Sequence, residues 1–180
     1  MVLALLVLMT LTILGTTSVT SSLLQSKMAI SLESQSLAFD AAEAAIAGVA
    51  FESEDTVLLG SSTLVDPLSE ARQGAAIDLA DQDLSCYNDE SWVNRTIIES
   101  GLATGVNQTL SGAYNSTPEV SSWSRTAFIK ELACKGSSNV VGGSNINCHV
   151  FIIRGCGKLT TSSYAVANTL TATTFAPASQ

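Results

Sequence analysis

Between Met1 and Ser26 the chain has no charged side chain, and the stretch from Met1 to Leu14 is almost wholly aliphatic. Water is a poor solvent for such a run, so it belongs in lipid or in a dry bundle of helices. Continued as a helix through Leu24 it spans about 36 Å, enough to cross a hydrocarbon core of roughly 30 Å. A cleaved secretory signal opens with a basic region and closes with a small-x-small site. Neither is clear here, because the small residues after Ile13 run straight into more helix-like sequence. A single-span anchor needs only this hydrophobicity, so the next segment has to separate the readings.

From Leu23 to Phe51 apolar residues recur at helical spacing: Leu24, Met28, Leu32, Phe39, Ile46 and Val49, with Gln35 and Ala42 completing the seam. Lys27, Glu33, Asp40 and Glu43 fall mostly off it, as a solvent-facing edge should. The first proline is Pro67, so one helix of about fifty residues, about 75 Å long, can run without an obligatory break. Met28, Leu32, Phe39, Ile46 and Val49 are the positions expected to pack on a globular head. The weak point is Gly15 to Ser22, whose Gly, Thr, Ser and Val have poor helix propensity; local unwinding is expected there under load.

Three domains of organisation follow: an apolar helix over 1–26, an amphipathic continuation over 27–52, and a head over 53–180. Glu52 to Ser69 turns acidic and polar with Asp66-Pro67, reading as the exit from the helix. Glu70 to Leu84 suits either a strand or a short helix, and Asn88 to Gly112 suggests a second helix with Ile97, Ile98 and Leu102 on one side. Arg125–Leu132, Cys148–Arg154 and Tyr164–Thr174 are rich in β-branched and aromatic residues between Gly/Ser/Asn loops. They read as an antiparallel meander over about 125–174, whose apolar face covers the Met28–Val49 seam. The fold class is α+β, a long N-terminal helix packed by an antiparallel sheet.

Four cysteines, Cys86, Cys134, Cys148 and Cys156, lie in the second half with no C-x-x-C pair. Two disulfides in an oxidising compartment is the simple reading, with buried free thiols as the alternative. Four cysteines allow three pairings. A hairpin would set Cys134 opposite Cys148 and leave Cys86 for Cys156, each bridge contributing roughly 2–4 kcal/mol.

The stretch Leu37-Ala38-Phe39-Asp40-Ala41-Ala42-Glu43-Ala44-Ala45-Ile46 resembles the "AF-x-AAEAAL" helix of PilX-type minor pilins, within the type IV pilin superfamily. The apolar opening through Leu11-Thr12-Ile13-Leu14-Gly15 and Lys27-Met28-Ala29 resemble the same group. Val150-Phe151-Ile152-Ile153-Arg154-Gly155-Cys156-Gly157 resembles its "RITARG-x-G" strand. The resemblance implies a short basic leader removed in front of Met1 and N-methylation of that new terminus. It implies passage through the inner membrane, assembly by the pilus machinery, and a filament of copies of itself and other pilins on the bacterial surface. Met1, Leu3, Leu5, Leu6, Leu8, Met9, Leu11 and Ile13 would then pack its dry centre. Major pilins usually carry glutamate at the fifth mature position; here it is Leu5, and no acid precedes Glu33. Either Thr10, Thr12 or backbone carbonyls satisfy the terminal amine, or the subunit starts or tips a filament, since an unpaired charge in an apolar bundle is expensive.

Net charge is -8 with single, scattered basic residues, and residues 1–71 hold eight acids against Lys27 alone. Nucleic acid is therefore not expected as the main partner. No catalytic, cofactor or metal site is expected. His149 stands alone beside Cys148 without a nucleophile elbow, and is expected at a strand edge or facing a loop. Gly155-Cys156-Gly157-Lys158 lacks the leading glycine and the Ser/Thr of a phosphate loop, so a strand-end turn is expected. Asp78, Asp81, Asp83, Asn88, Asp89 and Glu90 fail the EF-hand spacing and read as a solvated loop. The triplets at Asn94, Asn107 and Asn115 are uninformative, and Trp92, Tyr114 and Trp123 read as core or interface packing rather than adhesive aromatics.

Overall fold

The structure, a computed structural model of the chain, describes residues 2–54, 66–82, 84–87, 92–98, 101–104, 118–134 and 146–177. Its described elements are helices α1 (Val2–Glu54) and α2 (Pro67–Gln73) and strands β1 (Val93–Ile98), β2 (Gly101–Thr104), β3 (Val120–Leu132), β4 (Ile146–Leu159) and β5 (Val166–Pro177). The fold is α+β, as the patterning predicts. Two compact units divide the chain, Met1–Ser36 and Leu37–Gln180.

Helix α1 is continuous through the Gly15–Ser22 stretch. The threonines there do not compete with the helix. The hydroxyls of Thr16, Thr17 and Thr20 donate to the carbonyls of Ile13, Leu14 and Thr16 one turn back, which satisfies them where no water is at hand. Thr10 and Thr12 donate in the same way to Val7 and Met9.

In the second unit the sheet is antiparallel throughout, ordered β2-β1-β3-β4-β5. Strand β3 is its centre, and Val120 to Ala127 are all buried, so the sheet is covered on both faces there. Ser122 and Ser124 pair with Gly157 and Gly155 on the face beneath α1. On the opposite face Trp123, Ala127, Ile152 and Cys156 pack against Ile77, Leu84, Cys86 and Trp92 from the irregular segment before β1. A register shift between Phe128 and Lys130 lets β3 bulge near its end.

The seam by which α1 packs consists of small residues: Ala38, Ala41, Ala42, Ala45 and Val49, each no more than 3% exposed. The reason lies in β4. A Cβ added at Gly155 would lie 2.8 Å from Ile46 Cγ1 and closer still to the Ala42 carbonyl oxygen; one added at Gly157 would crowd the Ala38 carbonyl and the Ala42 amide. Helix backbone thus lies on strand backbone, which only Gly under Ala permits. The Ser122 hydroxyl donates to the Ala41 carbonyl at 2.5 Å across the same junction. This corrects the expected seam. Ala42 and Val49 are buried and Ile46 half-buried, as expected, but Phe39 is 40% exposed, and Met28 and Leu32, in the first unit, are 65% and 68% exposed. Close approach selects the helix's smallest side chains, whereas periodicity favoured its largest.

Two further expectations change, and one left open is decided. The helix expected within Asn88–Gly112 is instead the β1–β2 hairpin, with Ile97 opposite Leu102 and Ile98 opposite Gly101. Val93, Thr96, Ile97 and Ile98 are β-branched, and Gly101 takes φ 123°. The Leu102 amide donates to Glu52 Oε1 at 2.7 Å, tying the hairpin to α1. Within Glu70–Leu84 the structure has the end of α2 followed by irregular chain. Asp66 caps α2, its Oδ1 accepting from the amides of Leu68 and Ser69 at 3.0 Å, with Pro67 opening the helix. Finally, Gly155–Lys158 is strand interior, not a turn: its glycines make room for α1.

Candidate functional site

From Val2 to Glu33 every residue of α1 is exposed in the isolated chain. Leu3, Leu5, Leu6, Leu8, Met9, Leu11 and Ile13 are all more than half exposed, as are Leu14, Val19, Leu23 and Leu24; Met1 lies outside the described residues. At about 100° per residue these positions surround the helix, so it is apolar all round rather than striped, which in water is not a stable condition. Such a helix is completed by lipid or by other helices. It is long and apolar enough to cross a membrane.

The head is stapled. Cys86 is bonded to Cys156, with Cα atoms 6.0 Å apart, and Cys134 to Cys148, 5.0 Å apart. Leu132 stands opposite Cys148, which brings Cys134 within reach. The first bridge joins the irregular segment to β4 beside Trp123, whose indole N–H donates to the Cys86 carbonyl at 3.1 Å. Two disulfides are at home in an extracellular or periplasmic setting.

Two buried arginines of the head join its elements. Arg125, 1% exposed, donates from Nη1 to the Ser85 carbonyl at 2.6 Å and from Nε to Asn94 Oδ1 at 3.1 Å, with its guanidinium 5.0 Å from the Trp92 ring centroid. The Trp92 indole N–H in turn donates to Gln82 Oε1. Nothing in the sequence marked Arg125 as the centre of this group; a lone arginine in a predicted strand carries no such signal. Arg95 is buried in β1 and pairs with Glu70 of α2.

Trp92 and Trp123 are core residues, while Tyr114 lies outside the described residues. Asn94 spends both ends of its amide, on the Trp92 carbonyl and on Arg125; Asn107 and Asn115 lie outside the described residues. His149 is not at a strand edge or loop. It is 1% exposed in β4, its ring 5.5 Å from that of Phe128 and its Nε2 3.8 Å from Glu131 Oε1. Asp78 organises a turn, its carboxylate accepting the Ala80 amide and its carbonyl the Asp81 amide. Among the described residues no three His, Cys, Asp or Glu side chains gather as metal ligands; Asp83, Asn88, Asp89 and Glu90 lie outside them.

Comparison with protein-family models, curated proteins and solved structures found no match. What stands at this point is an α+β protein with an apolar, membrane-length N-terminal helix and a doubly disulfide-bonded head.

Proposed function

We propose that the chain is a structural subunit of an extracellular type IV pilus-like filament, polymerising through its N-terminal helix. The observation that carries this reading is that the uncharged stretch of α1 is apolar on all sides, yet continues without a break into the segment bearing the head. A bundle of such helices covers every side of each one, by van der Waals packing, and carries the heads as its wall. The resemblance of residues 37–46 to PilX-type pilin helices agrees with it.

A second reading within the class is a minor pilin that primes assembly or caps the tip and modulates adhesion or aggregation; it is favoured because the apolar stretch carries no acid ahead of Glu33 to pair with a neighbour's amine. Gold labelling along whole fibres supports the first reading; labelling at fibre ends supports the second. A reading of another class is a single-pass, membrane-anchored binding domain of the envelope, which would stay with membranes when cells are sheared. The filament reading expects the protein in the sheared fraction, and its release abolished by Leu5→Lys, since an ammonium group packed among apolar helices is expensive. Retention of the parent protein in the membrane fraction refutes it.

A further inference from the structure

The two edges of the sheet differ. Strand β2, at one edge, has four residues and opens on a glycine at φ 123°, a short edge that offers little to pair with. Strand β5, at the other, has twelve residues, Val166–Pro177, none charged, and its only proline is the last. It pairs with β4 from Val166 to Pro177 without a register shift, so no bulge turns the edge away. Among the described residues nothing pairs with its outer side. Charges, prolines, bulges and brevity are the usual protections of an edge strand, and β5 has none of them over eleven residues. Its side chains stand out: Thr169, Thr171 and Thr173 are exposed, Leu170 is 43% exposed and Phe175 72%.

We propose that β5 pairs edge to edge, antiparallel, with β5 of a second copy of this chain, about a two-fold axis through Thr171. Two features select this occupant. The strand itself carries no charge, and the charged groups that reach it are of opposite sign, Arg154 on Thr169 and Glu43 on Asn168, so a two-fold mate bearing the same pair does not meet a field of one sign along this edge despite the net charge of -8. Moreover, the sequence is complementary to itself in this register. Phe175 falls opposite Ala167, Leu170 opposite Ala172, Thr169 opposite Thr173 and Asn168 opposite Thr174, so each large apolar side chain faces a small one. Cross-strand pairs of this kind, with backbone hydrogen bonds along a contact of roughly 40 Å, are the unit of sheet stabilisation. The two-fold also reverses the direction of the α1 segment lying on each sheet. The pair therefore joins copies from different bundles of parallel α1 helices, or from none, and does not depend on the filament reading.

Residues on such an axis come within about 4.5–5.5 Å at Cα, a spacing that suits a disulfide. The test is Thr171→Cys in the full chain, solubilised in detergent and exposed to copper-phenanthroline under air, with Thr160→Cys, in the exposed turn before β5, as the control. The expected result is a covalent dimer formed several-fold faster by Thr171→Cys. Thr169→Cys and Thr173→Cys should dimerise when mixed and far less when oxidised alone. Adding Thr169→Lys and Thr173→Lys to Thr171→Cys, which sets like charges opposite each other, should abolish the cross-link while Trp emission shows the head still folded. Leu5→Lys should leave it unchanged. Cross-linking no faster than at Thr160→Cys, or indifferent to the lysines, overturns the proposal and leaves the filament reading where it stood.

Discussion

Replacing Gly157 by alanine should be among the most damaging single-methyl changes in this protein. The new Cβ would lie 2.8 Å from the Ala42 amide nitrogen and closer to the Ala38 carbonyl oxygen, both backbone atoms of α1 that no rotamer change can move. Relief requires the helix to rise by about 1–1.5 Å, and a gap of that size forfeits about half or more of the dispersion energy along the junction. Ala38, Ala41, Ala42, Ala45 and Val49 are now sealed against the sheet; re-exposing roughly 100–150 Å² of them costs about 3 kcal/mol. For a head of this size that lowers the melting temperature by about 10 °C. The assay is thermal melting of the full chain in detergent, followed by the emission of Trp92 and Trp123, both in the head core. Gly48→Ala is the control: its Cβ meets only a Leu102 methyl at 3.2 Å, and the helix gains up to about 1 kcal/mol in propensity, so its melting point should stay near the parent's. A Gly157→Ala protein melting within about 2 °C of the parent would refute the claim that backbone approach sets this interface.

His149→Leu should stabilise the head by about 1 kcal/mol in urea denaturation, because both ring nitrogens are buried without a hydrogen-bond partner among the described residues; destabilisation would mean the imidazole has a partner that matters. The two bridges should differ when removed singly as Cys-to-Ser pairs. The Cys86–Cys156 loop, with a separation of 70, is worth about 4 kcal/mol and the Cys134–Cys148 loop, with a separation of 14, about 3 kcal/mol. Equal midpoints, or the reverse order, would show that loop entropy does not govern them.

Several features were legible because one local property decided them. A run of 26 residues without a charge determines that its surroundings are apolar, whatever the rest of the chain does, and the lack of proline before Pro67 leaves the helix unbroken. The three β-branched stretches lie in the strands β3, β4 and β5; β3 and β4 are longer than their apolar stretches because pairing with a neighbour extends them through Ser, Gly and Asn, while β5 starts at Val166 and runs on to Pro177. With the hairpin read correctly, Cys134 and Cys148 could be placed opposite each other, and the second bridge followed.

Other features needed the partner surface. Val93–Ile98 contains apolar pairs that suit either a helix or a strand, and its state was decided by the edge of β3, with which it pairs. Phe39 offers the helical period more bulk than Ala38 or Ala41, but burial was decided by how near Gly155 and Gly157 let the strand come. The sequence by itself determined which solvent each segment can tolerate, since that is a property of the side chains alone. Only the tertiary structure decided which face is buried and how closely, because distance between two backbones belongs to neither segment until they meet.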